Sequence, residues 1–200
     1  EIRGAGDLLG GEQSGFINEM GFETYQKILD EAINELKEDS FKNLDLEINK
    51  FSKKVNVVFE TDLELMFPNN YINSSTERLK LYTQLNKICE LDELNLFKLE
   101  LTDRFGTLPN VVVELLNSLE LRWLAGALGF DKIVLKKNIL ISYMMNFDSE
   151  IQKKKLDKLF DYSNSNPDSI SFSQKKLADG DRFIVKIKNI DSVSMAIKVL

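Results

Sequence analysis

At KIVLKKNILISY, Lys132–Tyr143, the texture of the chain changes. Two runs of branched apolar residues flank the polar KKN, and branched side chains favour the pleated, half-buried surface of a strand. Two such runs around a short polar break read as a β-hairpin. Upstream, back to Ser74, the apolar spacing is helical, and downstream it returns to strand. The expected class is α+β: a helical core with a small antiparallel sheet, preceded by a glycine-rich loop and a long amphipathic helix.

Working back from the hairpin, Val112, Leu115, Leu116, Leu119 and Trp123 predict a helix ending near Gly129. Before it, Leu94, Phe97, Leu101 and Phe105 predict a helix over 92–105, stopped by Gly106. Pro109 then falls where a first helical turn accepts proline. Ser74 and Glu77 have capping-box spacing, and Leu79, Tyr82, Leu85, Ile88 and Leu91 supply the buried stripe of the helix they open. Val55, Val57 and Phe59 alternate as in a half-buried strand that Pro68 closes. Phe22, Tyr25, Ile28, Leu29, Ala32, Ile33 and Leu36 predict an amphipathic helix over about 22–37.

Working forward, SISFSQ (169–174) and RFIVKIKN (182–189) predict further strands, and SNSNPDS (163–169) a loop. Asp191 is the expected cap of a short final helix. Three divisions follow: 1–21, 22–50 as connecting helix and linker, and 51–200 as the main domain.

Composition narrows the chemistry. The chain has 200 residues and no histidine. This removes the usual general base, the Ser-His and Cys-His pairs and the commonest zinc ligand. No catalytic residue and no metal ligand is assigned. The single cysteine, Cys89, excludes an internal disulfide framework and fits a reducing, cytoplasmic compartment. Its helical context predicts a packed core thiol. The apolar runs are too short to span a bilayer. A first residue Glu1 rather than Met is expected of a piece of a longer protein.

Charge is uneven. Residues 1–50 hold 5 basic and 12 acidic groups, a net −7, whereas 151–200 hold 10 basic and 6 acidic, a net +4. The overall −6 argues against a free-standing nucleic-acid binder. Lys153–Lys155 and the pair Lys175 and Lys176 read first as a solvated surface, and second as a contact for an acidic partner.

The opening EIRGAGDLLGGEQSG, Glu1–Gly15, is the other distinctive stretch. Gly4 to Gly10 is G-x-G-x-x-x-G, one residue longer than the dinucleotide fingerprint, and Glu12 to Gly15 interrupt the helix that fingerprint needs. No Gly-Lys-Ser/Thr follows, so it is not a P-loop. Nor is it an ordinary linker, since Ile2, Leu8, Leu9, Phe16, Ile17 and Met20 want burial. Glycines among apolar anchors describe a shaped loop packed on another body.

Those fifteen residues resemble the end of the translocation motif shared by RecG helicases and the Mfd family of bacterial transcription-repair coupling factors. GFETYQKILDEAI (21–33), YINSSTERLKLYTQL (71–85) and ELTDRFGTLP (100–109) resemble, in order, the following helix and elements of that family's C-terminal domain. The resemblance covers about residues 1–130 and leaves the last 50 unmatched.

It implies that Arg3, Gly4, Gly6, Gln13, Ser14 and Gly15 belong to a loop coupling ATP hydrolysis to DNA translocation, Arg3 and Gln13 chiefly. It implies ATP and Mg in the intact protein, no cofactor in this chain, and no ATP hydrolysis by this chain alone. It further implies a clamp that docks on a UvrB-like N-terminal module, masks UvrA recruitment and restrains the motor. Duplex DNA and stalled RNA polymerase would be partners through the intact protein.

Glu100 and Asp103, three apart on one helical face, are the candidate docking pair, with Arg104 beside them. Against this stands simple solvation of Asp103 or pairing with a neighbour, and for Arg104 an anchoring of the Gly106 turn through helix-end carbonyls. The alternative function is a nucleotide- or duplex-DNA-binding module using the glycine-rich loop and the basic tail.

Overall fold

The computed structural model describes residues 21–22, 24–28, 57–145, 154, 156–177 and 180–200. The glycine-rich opening up to residue 20 and the division expected at residue 50 lie outside these residues. Of the helix expected over 22–37, Phe22 and residues 24–28 are described and helical.

In chain order the elements are β1 (Val58–Thr61), α1 (Ser75–Lys87), α2 (Leu91–Phe105), α3 (Asn110–Leu128), β2 (Lys132–Lys136), β3 (Ile139–Met145), α4 (Asp157–Ser165), β4 (Ile170–Leu177), β5 (Gly180–Lys188) and α5 (Val193–Val199). They form two compact units, each with its own interior. One holds residues 64–115 with the helical residues at 22–28, and the other holds 57–63 with the described part of 116–200. Helix α3 contributes residues to both.

The helical unit is organised around Tyr82, which is 1% exposed. Its ring lies 5.0 Å from Phe67, 5.6 Å from Tyr25 and 5.7 Å from Phe22, centroid to centroid. Its phenolic oxygen accepts the Phe67 amide N–H at 3.0 Å, so a buried backbone donor is satisfied by a side chain. Burial pushes the phenol pKa up, and the Phe67 bond opposes that shift.

Helix α1 begins where the Ser74–Glu77 spacing predicts: the Glu77 N–H donates to Ser74 Oγ at 3.3 Å. Its buried side chains are Arg78, Leu81, Tyr82 and Leu85. The expected stripe placed Leu91 here, but α1 stops at Lys87 and Leu91 is the exposed first residue of α2. The same early stop overturns the core-thiol reading of Cys89. That residue is exposed between the helices, its N–H donating to Glu93 Oε2 at 2.9 Å.

Helix α2 buries Leu94, Phe97 and Leu101 as predicted and ends at Gly106. Gly106 has φ 84°, a left-handed conformation that glycine adopts without a Cβ clash. The Tyr71 hydroxyl anchors this turn, lying 3.2 Å from the carbonyls of both Leu101 and Gly106. Helix α3 opens one residue after Pro109, whose carbonyl accepts from the Val112 and Val113 amides.

The second unit is a five-stranded sheet in the order β1-β2-β3-β5-β4. The hairpin turns at Lys137 and Asn138, with φ 52° and 59°. Two consecutive left-handed residues make the primed turn whose twist matches that of the strands it joins. Lys136 belongs to β2, paired with Ile139. β2–β3, β3–β5 and β5–β4 are antiparallel as expected, whereas β1 runs parallel to β2. The sheet is therefore mixed at one edge. The chain leaves β1 and returns through three helices, and a connection of that length permits parallel pairing where a tight turn does not.

One sheet face carries Ile133, Leu135, Leu140, Met144, Val185 and Ile187, all buried. Helix α4 meets this face through Phe160, whose ring centroid is 4.9 Å from that of Phe172. The sequence reading assigned residues 163–165, which close α4, to a loop, and the loop begins instead at Asn166. The final helix is present, but its cap is Ser192 rather than Asp191. Ser192 Oγ accepts the Met195 N–H at 3.3 Å while sitting 3.0 Å from Asp191 Oδ1. Asp191 thus orients the capping hydroxyl instead of capping directly.

Glu60 on β1 accepts from Lys132 Nζ at 2.6 Å and Lys136 Nζ at 3.1 Å. These two hydrogen bonds, Lys132 foremost, hold its carboxyl below the ordinary glutamate range. A depressed folded pKa contributes stability that is complete above the unfolded value of about 4.3 and is lost as pH falls through the folded value. The stability difference between wild type and Glu60→Gln should therefore be largest at neutral pH and shrink toward zero below about pH 4.3. Urea midpoints taken across that range measure it.

Tyr82→Phe should lower stability by about 1–3 kcal/mol, because the Phe67 N–H stays buried without its acceptor. A lower urea midpoint at unchanged slope is the expected readout.

Candidate functional site

A helix advances 100° per residue, so side chains three and four apart share a side. In α2 the core side is taken by Leu94, Phe97 and Leu101. The opposite side holds Leu96, Leu99, Glu100 and Asp103. Leu96 is 67% exposed and Leu99 is 66% exposed. Two leucines so open, side by side on one helix, gain little from folding of the chain by itself.

The acidic pair flanks them. Glu100 and Asp103 are both exposed, as the sequence spacing predicts. Glu100 Oε1 accepts from Arg104 Nη1 at 2.9 Å, an i to i+4 pair. Arg104 also reaches Glu77 on α1 through Nη2, so its guanidinium sits between two carboxylates. Those carboxylates, Glu77 foremost, raise the guanidinium pKa further. The guanidinium carbon lies 4.8 Å from the centroid of the Phe105 ring. Arg104 is thus held by side chains from α1 and α2, and the carbonyls of the Gly106 turn go to Tyr71 instead. Among the described residues, no ion pair includes Asp103.

Beside this side of α2 runs an open groove of about 300 Å³ lined by Gln84, Lys87, Ile88, Glu93, Leu96, Phe97 and Glu100. Its floor is apolar and its walls mix acids with Lys87. The arrangement suits a protruding apolar side chain framed by basic groups. Among the described residues, no group of three or more potential metal ligands forms there.

Sequence reasoning named Glu100 and Asp103 as candidates and passed over Leu96 and Leu99. The signal was present: both leucines fall off the 94, 97, 101 period that supplies the core. Arg78 was also missed. It is 2% exposed, and its Nη1 donates to the carbonyls of Ile72 at 2.7 Å and Asn73 at 3.2 Å, holding the turn that leads into α1. Arg3, Gly4, Gly6, Gln13, Ser14 and Gly15 lie outside the described residues. Of the basic tail, Lys154, Lys175 and Lys176 are exposed.

Comparison with known proteins gives the geometry a family. Residues 61–156 match the TRCF domain family. The transcription-repair-coupling factor of Haemophilus influenzae is 38% identical over 133 residues, 66% of this chain and 11% of that protein. That of Rickettsia conorii is 32% identical over 183 residues, 90% of this chain and 15% of that protein. The chain therefore spans only a small part of the length of these curated relatives. A solved crystal structure, the C-terminal domain of transcription-repair coupling factor, superposes with a TM-score of 0.51. It is 14% identical, covers 72% of this chain and is itself covered to 89%, a likeness of fold. Family match, sequence similarity and shared fold together place this chain in the transcription-repair coupling factor family, as a C-terminal region containing its TRCF domain.

Proposed function

We propose that this chain is the regulatory clamp of a transcription-repair coupling ATPase, and that the outer side of α2 is its docking face. The clamp sits on the UvrB-like N-terminal module of the same protein, masks the surface that recruits UvrA and restrains the motor. The observation that carries this reading is the open pair Leu96 and Leu99 with Glu100 and Asp103 around it. Apolar contacts at the centre of an interface supply affinity, while charges at its rim set register and speed encounter. Arg104, held by Glu77 and Glu100, keeps the Glu100 carboxylate from swinging freely.

In the intact protein the loop carrying Arg3, Gly4, Gly6, Gln13, Ser14 and Gly15 links ATP hydrolysis, with Mg, to movement on duplex DNA. Its glycines allow close turns, and Arg3 and Gln13 relay contacts between motor lobe and DNA-gripping segment. Stalled RNA polymerase is engaged through other parts of that protein, in the cytoplasm. This chain itself hydrolyses no ATP. A DNA-stimulated release of phosphate by the purified chain would overturn that statement.

The docking face is tested by titrating the UvrB-like module, expressed separately, into the 200-residue chain in a calorimeter. Binding is expected, with Glu100→Arg and Asp103→Arg each weakening it by roughly tenfold or more, about 1.4 kcal/mol. Leu99→Asp should abolish it while leaving the circular dichroism spectrum unchanged, since the side chain is largely in solvent. Binding that ignores all three substitutions would move the face elsewhere on the chain.

A further inference from the structure

The sheet of the second unit has a face that the proposed clamp does not use. Register pairing puts Val58, Lys132, Tyr143, Ile184 and Ser173 in one row across it, and Glu60, Val134, Ile141, Lys186 and Ser171 in the next. Lys136, Ile139 and Lys188 form a third row, and Met145, Arg182 and Lys175 a fourth. This is the side opposite to Ile133, Leu135, Leu140 and Met144.

Two properties stand out. Its middle is aliphatic: Val134, Ile139 and Ile141 stay half-exposed, and Ile184 is 9% exposed. Val58 at one edge is 54% exposed and Met145 at another is 37% exposed. Its rim is basic. Lys132, Lys136, Lys175, Arg182, Lys186 and Lys188 surround that middle, against the single carboxylate Glu60 within the rows and Asp131 near Arg182. An apolar patch inside a charged rim marks a binding surface rather than a solvated one.

We propose that this open sheet face docks an acidic protein segment with an apolar stripe. The charge sign selects an acidic partner. The aliphatic middle selects protein over nucleic acid, because single strands bind by stacking bases on aromatic rings, and among the described residues Tyr143 is the one ring in these rows. Lys132 and Lys136 already hold Glu60. An acidic helix laid across the rows would place its apolar residues over Val134, Ile141 and Ile184 and its carboxylates toward Lys186 and Lys188. It would also compete with Glu60 for the two β2 lysines. Glu60 thus acts as a resident stand-in for the partner's carboxylate and sets a threshold for binding.

The test uses the 200-residue chain with labelled isoleucine and valine methyls. The probe is a synthetic amphipathic peptide with leucines at helical spacing and glutamates between them. Saturable shifts are expected at Val134, Ile139, Ile141 and Ile184. Lys186→Glu with Lys188→Glu should weaken the affinity roughly tenfold, and Glu60→Gln should strengthen it severalfold, opposite signs that a merely structural role would not produce. Four results would overturn the proposal: no shift at these methyls at millimolar peptide, equal response to a peptide carrying lysines in place of glutamates, shifts driven by duplex or single-stranded DNA alone, or shifts that follow chain concentration without peptide. The last would assign the face to a second copy of this chain.

Discussion

Two left-handed residues, Lys137 and Asn138, fix which side of every strand in the second unit meets its core. A primed two-residue turn sets the register of β2 against β3, and the pleat then assigns alternate residues to opposite faces. A slip of one residue would exchange Leu140 and Met144 with Ile139, Ile141 and Tyr143, placing half-exposed positions inside and buried ones in water. β5 takes its register from β3, and β4 from β5. The basic rim of the open face is therefore set by this turn, because Lys186 and Lys188 face outward only when Ile141 and Ile139 do. Asparagine tolerates the left-handed region and lysine does so poorly, so the hairpin is held by pairing and packing more than by local preference.

In the helical unit the corresponding constraint is the orientation of α2 about its own axis. Leu94, Phe97 and Leu101 are buried, so Leu96, Leu99, Glu100 and Asp103 have no choice but to face out. Tyr71 closes the end of the helix at Gly106, and Arg104 links it to Glu77 of α1. Glu77 is of particular interest. Its amide is capped by Ser74, as the capping-box spacing predicts, but its carboxylate goes to Arg104 rather than back to the Ser74 amide. A local motif was legible, and a tertiary contact took over half of it.

Legibility followed the range of the interactions involved. The hairpin, α1, α2, α3, the strands β4 and β5 and the stop at Gly106 all rest on periodicity or on one residue's backbone preference, and all were readable. The parallel pairing of β1 was not, because nothing within VFET encodes a partner 74 residues away. The packed-thiol reading of Cys89 failed because helical spacing continues past the point where α1 stops at Lys87. Helix α4 escaped notice because its polar residues Ser163, Asn164 and Ser165 look like a loop, while Leu156, Leu159 and Phe160 carry the helical spacing just upstream. At the candidate site the acidic pair was named from its helical spacing together with family resemblance. The leucines beside it were visible only to a question about which apolar residues the core period leaves over.

That leftover criterion carries further than net charge. The chain's −6 argues against a free-standing nucleic-acid binder, but a sum over 200 residues cannot register how charges are grouped. Strand pairing gathers cations from four separate sequence positions, 132–136, 175, 182 and 186–188, onto one face. Helical spacing gathers acids onto another surface altogether. Screening over about 8 Å at physiological salt means that each face presents its own sign to a partner, largely independent of the total. The two surfaces also share a construction: aliphatic side chains that folding left half-dressed, framed by charges of one sign. Recognition by such a surface is selective on two counts, since a partner must bring both the complementary charge and the missing apolar contact.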